Sequence, residues 1–89
     1  MKIEVYFRTA NQTEFAYYNT IEAHSCEEDL EFEAMSIAEE YGLENNDELF
    51  IKLICNKELL YYKMKIEIHR EPIFFVRDIE KYEKNDTNN

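Results

Sequence analysis

The stretch LFIKLICNKELLYYKMKIEIHR, residues 49–70, decides the fold. Apolar and polar residues alternate over 49–55 and again over 58–70, which is the period of half-buried strands. Asn56 and Lys57 separate the two runs, and Asn tolerates the positive φ that a two-residue hairpin turn requires. The pattern predicts a hairpin whose inward side chains are Leu49, Ile51, Leu53, Cys55, Leu60, Tyr62, Met64, Ile66 and Ile68.

A second hairpin is predicted upstream, in residues 2–22. The segments KIEVYFR (2–8) and EFAYYNTIE (14–22) are strand-like, and the polar TANQT between them is typical of a turn. Their expected inward residues are Ile3, Val5 and Phe7 on the first strand and Phe15, Tyr17 and Ile21 on the second.

One helix is predicted between the hairpins, over residues 26–41. Ser25 followed by Glu28 has the spacing of a capping box at a helix N-terminus. Gly42 suits the left-handed residue that follows a helix C-terminus. The apolar positions fall on one face, which holds Leu30, Ala34, Ile37, Ala38 and Tyr41.

The last segment admits two interpretations. Residues 73–77 are expected to be a fifth strand followed by a helical turn, although Phe75, Ile79 and Tyr82 would also form one face of a short helix. The order ββαββ, with this last element open, predicts an α+β fold in which one helix packs on one face of a four- to five-stranded antiparallel sheet. We expect a single domain at residues 1–80 and a polar, disordered tail at 81–89.

Composition predicts the compartment. No apolar run approaches the roughly 20 residues that span a bilayer, and MKIEVYFRTA has no apolar signal-peptide core, so we expect a cytoplasmic protein without a membrane partner. The Asn/Lys/Glu-rich, Gly-poor composition is consistent with an AT-rich bacterial or phage genome, and hence with a bacterial host or a phage-infected cell. Cys26 and Cys55 are then expected to be reduced thiols.

Negative charge is concentrated in one region. Residues 22–48 hold eleven Asp and Glu and no Lys or Arg, whereas the rest of the chain holds nine acids and ten bases. This one-sided charge predicts a basic protein partner, although a merely solvated acidic face is the alternative. Phe32 and Met35 project away from the apolar face among the acids, as an anchor for a partner would. The expected partner-binding residues are Glu27, Glu28, Glu31, Phe32, Glu33, Met35, Glu39, Glu40, Glu44 and Asp47.

The outward face of the sheet is a second candidate site. Aromatic residues alternate there with bases, as on sheets that stack single-stranded RNA. The candidate residues are Tyr6, Tyr18, Lys52, Tyr61, Lys63 and Lys65. A net charge of −10 argues against nucleic acid as a partner, and a homodimer interface or packing by the C-terminal segment is the competing interpretation.

Catalysis and metal binding find little support in the sequence. His24, Cys26, Cys55 and His69 do not have zinc-finger spacing, and ENNDE (44–48) lacks the calcium-loop pattern. The surrounding carboxylates would raise the pKa of a Cys26 thiol, which opposes a nucleophilic role. We therefore predict a non-enzymatic binding or inhibitor protein without cofactor or metal.

Two biological settings fit that prediction. The first is a nucleic-acid mimic that occupies the basic surface of a nuclease, such as a phage-encoded anti-CRISPR or other anti-defence inhibitor. The second is an immunity protein or antitoxin against a basic toxin. A single-stranded nucleic-acid-binding module that uses the sheet face is the third alternative.

Overall fold

The 49–70 hairpin forms the centre of the sheet in the computed structural model, which describes residues 1–70 and 73–83. The elements in chain order are β1 (Lys2–Thr9), β2 (Ala16–Glu22), α1 (Leu30–Glu40), β3 (Glu48–Cys55), β4 (Glu58–Arg70) and β5 (Ile73–Tyr82). Each pair of neighbouring strands is antiparallel, and the strand order across the sheet is β2-β1-β3-β4-β5. The α+β class is confirmed, while the order is ββαβββ because β5 is a full strand.

The predicted central hairpin is confirmed in its turn and in its faces. Asn56 and Lys57 have φ values of 54° and 69°, the left-handed values that a two-residue hairpin turn requires. Cys55 pairs with Glu58 across that turn, so the alternation of the two strands stays in phase. All the predicted inward residues of β3 and β4 are buried except Ile68, which is half-buried.

A β-bulge reverses the predicted faces in the first part of β2, whereas Ile21 packs against the core as predicted. Val5 pairs with Asn19 and Tyr6 pairs with Tyr17, so Tyr18 is an extra residue on β2. An extra residue inverts the side-chain alternation beyond it. Tyr18 therefore packs against the core beneath the helix, whereas Tyr17 lies outside with 56% of its surface exposed. The prediction that Tyr17 faces inward and Tyr18 outward was wrong.

Helix α1 begins four residues later than predicted. The carboxylate Oε1 of Glu28 accepts a hydrogen bond from the backbone N–H of His24 at 2.7 Å, and not from Ser25 as a capping box requires. Asp29 occupies the N-cap position without a side-chain hydrogen bond to the helix. The helix is thus confined to 11 residues.

A disulfide explains why the segment before α1 is not helical. Cys26 is bonded to Cys55, the last residue of β3, so the expectation of two reduced thiols was wrong. The next residue, Glu27, accepts a hydrogen bond from the hydroxyl of Tyr62. These two contacts hold residues 26 and 27 against the sheet, where a regular helical turn would direct them elsewhere.

The C-terminus of α1 follows the prediction. Gly42 has φ of +65°, and the N–H of Leu43 donates to the carbonyl of Ala38 at 3.0 Å. A hydrogen bond from a backbone N–H to the carbonyl five residues earlier is the signature of a Schellman motif. Tyr41 stays at the rim of the core, 51% exposed, with its ring 4.8 Å from that of Phe7.

The hydrophobic core lies between α1 and the sheet. One cluster contains the buried helix residues together with side chains of β1, β3 and β4. The helix contributes Leu30, Ala34, Ile37 and Ala38 to it. In the described part of the chain, no helix is long and apolar enough to cross a membrane.

The last segment, for which the sequence allowed a strand or a short helix, forms strand β5 without the predicted helical turn. Asp78 has φ of +57°, and the pairing with β4 shifts between Lys63 and Lys65, so β5 bends there and continues to Tyr82. Residues 81 and 82 of the predicted tail belong to this strand. The remainder of that prediction, for residues 84–89, lies outside the described residues.

Candidate partner-binding surface

The acidic residues predicted to bind a partner do not all lie on the surface. Most are exposed, and Asp47 is half-buried. Glu33 is only 6% exposed, because it lies on the side of α1 that faces β2. The exposed members of the set are Glu27, Glu28, Glu31, Glu39, Glu40 and Glu44.

Glu33 therefore has a structural environment, and its assignment to a docking surface was wrong. Burial raises the pKa of its carboxyl group, a hydrogen bond from the Asn19 side chain opposes that rise, and the charge of Asp29 adds to it. A carboxylate removed from water in this way contributes little to contact with another protein.

Few of these acids are neutralised within the chain. Among residues 1–70 and 73–83, the acids of the 22–48 segment form two ion pairs. Glu27 lies 4.0 Å from the ammonium of Lys81, and Glu28 lies 3.6 Å from Nδ1 of His24. On α1 and the loop after it, Glu31, Glu39, Glu40 and Glu44 therefore remain without a cationic side chain within 4.0 Å in the described residues.

Three other predicted residues help to hold the fold. Glu40 accepts a hydrogen bond from the hydroxyl of Tyr18 at 3.1 Å, and burial together with this bond raises the pKa of Tyr18 to about 12. Asp47 accepts a hydrogen bond from the backbone N–H of Glu44 at 2.7 Å. Glu27 accepts a hydrogen bond from the hydroxyl of Tyr62. Burial is the main cause that raises the pKa of the Tyr62 phenol, and this hydrogen bond raises it further.

An open groove between α1 and the start of β5 joins apolar and acidic side chains. Phe32 is 62% exposed and Ile73 of β5 is 45% exposed. The ring of Phe75 lies on the outer face of the sheet, with its centroid 4.7 Å from that of His69, so Phe74 is the aromatic side chain of β5 on the helix side. The groove has a volume of about 340 Å³ and is lined by Phe32, Met35, Ser36, Glu39, Ile73, Phe74 and Phe75.

The sequence predicted the helix half of this groove and missed the β5 half. Phe32, Met35 and Glu39 were expected to bind a partner, and they do lie together. The apolar run at residues 73–75 was visible, but nothing in the local pattern places it beside α1. Pairing of β5 with β4 brings the two segments together.

The outer face of the sheet carries the second candidate set, without Tyr18. One row of residues in register crosses all five strands, and it consists of Tyr17, Tyr6, Lys52, Tyr61 and Tyr82. The next row contains Arg8, Phe50, Lys63 and Glu80. Tyr17 and Tyr82 were not predicted here, because the bulge in β2 and the length of β5 decide their positions.

Cations on this face lie against the aromatic rings. The guanidinium of Arg8 is 3.9 Å from the ring centroid of Phe50, and the ammonium of Lys52 is 4.6 Å from that of Tyr6. Phe15, which was predicted to face the core, also belongs here, since its ring centroid is 5.9 Å from that of Tyr61. The predicted inward position of Phe15 was wrong.

Metal-ligating side chains do not converge in the described part of the chain, where no group of three His, Cys, Asp or Glu residues could hold an ion. Cys26 and Cys55 are engaged in their disulfide, and His69 shares a hydrogen bond with Glu67 at 2.8 Å.

Comparison with known proteins returned no relative: no protein-family model, no curated protein and no solved structure matches the chain. The two faces described above are therefore the basis for assigning a function.

Proposed function

We propose that this protein binds a basic protein partner through the groove between α1 and β5. The observation that carries the proposal is one groove beside the acidic helix, lined by Phe32, Met35 and Phe74, in which Phe32 is 62% exposed. Large apolar side chains that cluster on a surface and are rimmed by polar groups are typical of protein-binding sites. Phe32 is the expected anchor.

The size of the exposed rings indicates how much binding they can supply. Truncation of a central aromatic anchor costs about 2 kcal/mol or more when the residue becomes fully desolvated in a complex. Phe32 leaves 62% of its surface accessible in the free protein, so a partner has that much more of the ring to bury. The acids around it contribute chiefly to the rate of association and to the choice of partner.

The charge of the rim supports a basic occupant. Glu31 and Glu39 are exposed on α1, and neither has a cationic side chain within 4.0 Å in residues 1–70 and 73–83. Unpaired surface carboxylates repel an acidic surface and attract one rich in Lys and Arg. The expected association is fast, and it weakens as salt is added.

The partner class that fits is a basic nucleic-acid-binding protein such as a nuclease. Such proteins expose Lys- and Arg-rich surfaces for phosphates, and carboxylates can occupy those surfaces instead. With Glu33 buried, the 11-residue helix exposes three carboxylates, those of Glu31, Glu39 and Glu40, and we expect the apolar groove to supply the rest of the contact. Inhibition of a host defence nuclease by a phage protein, anti-CRISPR inhibitors included, is the biological setting we propose.

The experiment compares two double variants of equal charge. Glu31→Gln with Glu39→Gln changes the groove, and Glu14→Gln with Glu83→Gln changes exposed acids away from the α1 segment. Phe32→Ser removes the proposed apolar anchor. Partners are captured from a bacterial lysate with the wild-type protein, identified by mass spectrometry, purified, and tested one by one by calorimetry.

The result expected is one-to-one binding of a basic protein that the groove variants weaken and the control variant retains. Phe32→Ser should weaken it by at least tenfold, since about 1.4 kcal/mol corresponds to a factor of ten. Equal affinity for the groove and control variants would show that the groove is not the interface. Capture of acidic or neutral partners alone would contradict the proposed class.

A further inference from the structure

We propose that the outer face of the sheet binds single-stranded nucleic acid, independently of the α1–β5 groove. The row Tyr17–Tyr6–Lys52–Tyr61–Tyr82 places four phenol rings in line across the sheet. Neighbouring strands are about 4.8 Å apart, so the row extends over about 19 Å. An open sheet bearing successive aromatic rings is a platform on which bases stack whatever their sequence.

The rings along this row differ in what is already against them. Lys52 lies over Tyr6, whose hydroxyl donates to Glu4 at 2.9 Å, and the ring of Phe15 lies 5.9 Å from that of Tyr61. Bases are therefore expected to contact mainly Tyr17 and Tyr82, at the two ends of the row. At one end Tyr17 is 56% exposed, with its ring 5.5 Å from that of Tyr6. At the other end the rings of Tyr61 and Tyr82 lie 5.7 Å apart, inclined by 40°.

Three lysines on the same face are available for phosphates. Lys52, Lys63 and Lys65 are half-exposed, and within residues 1–70 and 73–83 none of them lies within 4.0 Å of a carboxylate. Glu80 is opposite Lys63 in the strand register but forms no such ion pair with it. Arg8 is less available, because its Nη1 donates to the carbonyls of Thr9 and Gln12.

The net charge of −10 does not decide against this face. The acidic helix covers the opposite side of the sheet, in a molecule whose shortest dimension is 20 Å. That is about 2.5 times the Debye length of ~8 Å at physiological ionic strength, so solvent ions screen most of the repulsion. Phosphate contacts release counterions, so affinity should still fall as salt is added.

Stacking of bases on the aromatic rings distinguishes a site for single-stranded nucleic acid from a patch of lysines that binds any anion. An acidic peptide would satisfy the three lysines but would offer no base to stack on the phenol rings. A duplex would satisfy the lysines while keeping its bases stacked on one another. Single strands alone offer both phosphates and exposed base faces.

The experiment measures fluorescence anisotropy with labelled oligo(dT) and oligo(rU) of about 20 nucleotides, which at about 3.4 Å per nucleotide are longer than the row of rings. A duplex of the same length and an oligoglutamate of similar charge serve as competitors. Tyr61→Ala tests stacking, and Tyr17→Ser tests it at the exposed edge strand, where folding is less at risk. Circular dichroism verifies that each variant keeps its sheet.

A matched pair of lysine variants tests the phosphate contacts. Lys63→Gln removes a charge from the face, and Lys57→Gln removes one from the exposed turn between β3 and β4. With three phosphate contacts, the slope of log K against log salt should be about −2. Loss of one contact should make the slope less negative by about 0.7. Lys57→Gln should leave the slope unchanged.

The expected result is preference for single strands over both competitors, with affinity reduced about fivefold or more by Tyr61→Ala or Tyr17→Ser. Phe32→Ser should have no effect, which separates this face from the groove. Absence of binding, equal competition by oligoglutamate, or identical slopes for the two lysine variants would overturn the proposal.

Discussion

Breaking the Cys26–Cys55 disulfide should destabilise the protein strongly. The bond joins residues 29 positions apart and fastens the segment before α1 to the end of β3. The chain-entropy relation for a loop of that length gives a loss of about 12 cal/mol/K on closure, or about 3.6 kcal/mol at room temperature. Reduction of the bond, or the double variant Cys26→Ala with Cys55→Ala, should lower the free energy of unfolding by that order.

The loss is large compared with the stability of a chain of this length. At 0.05–0.15 kcal/mol per residue, 89 residues give about 4–13 kcal/mol, so about 1–10 kcal/mol remains after reduction. The buried cluster of 15 hydrophobic residues is unaffected by the reduction itself, so the reduced chain should still fold. Its unfolding midpoint in urea should fall by about 2–3 M for an m-value near 1.4 kcal/mol/M.

Urea denaturation followed by circular dichroism, with and without reductant, measures this difference. The double alanine variant is the control for effects of the reductant. Its midpoint should fall at or below that of the reduced protein, because Cys55→Ala also removes a buried sulfur from the core. A thiol titration of the denatured, unreduced protein is done first. Two reactive thiols in that titration, or midpoints within about 0.3 M of each other, would refute the reasoning.

Three further predictions concern single residues. Gly42→Ala should lose about 1 kcal/mol, measured by urea denaturation, because φ of +65° strains an L-residue although an added Cβ would meet nothing within 4 Å; Gly42→Asn should lose less. Glu33→Gln should raise the thermal midpoint near pH 7 but not near pH 4. Burial raises the pKa of Glu33 in the folded state, so the wild-type protein loses stability as pH rises from the pKa of the unfolded chain through that of the folded protein. Glutamine has no charge to desolvate and avoids this loss. A midpoint lowered at pH 7 would show that the hydrogen bond from Asn19 outweighs burial. Tyr62→Phe should cost about 1.5–3 kcal/mol at neutral pH, since it removes a hydrogen bond to the Glu27 carboxylate. In a Glu27→Gln background the loss should shrink to about 0.5–1.5 kcal/mol, because the amide oxygen accepts only a neutral hydrogen bond.

The central hairpin shows how much of this fold could be predicted from sequence. Alternation and the Asn56–Lys57 turn are local properties, and together they fixed the register from Cys55↔Glu58 onward. The end of the helix could also be predicted from neighbouring residues, because a single residue with positive φ, Gly42, ends it. The start of the helix could not, because the disulfide and the Glu27–Tyr62 hydrogen bond override the Ser25–Glu28 spacing.

The candidate site was predictable in its helix half only. Phe32 and Met35 stood out as apolar residues among acids, and they line the groove. Glu33 belonged to the same acidic run but is buried, because its position on α1 faces β2. Ile73 and Phe74 complete the groove from a segment about 40 residues away, and no periodic pattern links the two.

The sequence by itself determined the strands of the central hairpin, the end of the helix and the concentration of acids in residues 22–48, because turn chemistry, periodicity and charge are written in neighbouring residues. The tertiary structure decided which aromatic rings share a face, which carboxylate is buried and which apolar residues meet in a groove. One bulged residue at Tyr18, one disulfide and the pairing of β5 with β4 set those outcomes. Each is a contact between segments distant along the chain, whose free energy depends on packing that local sequence patterns do not encode.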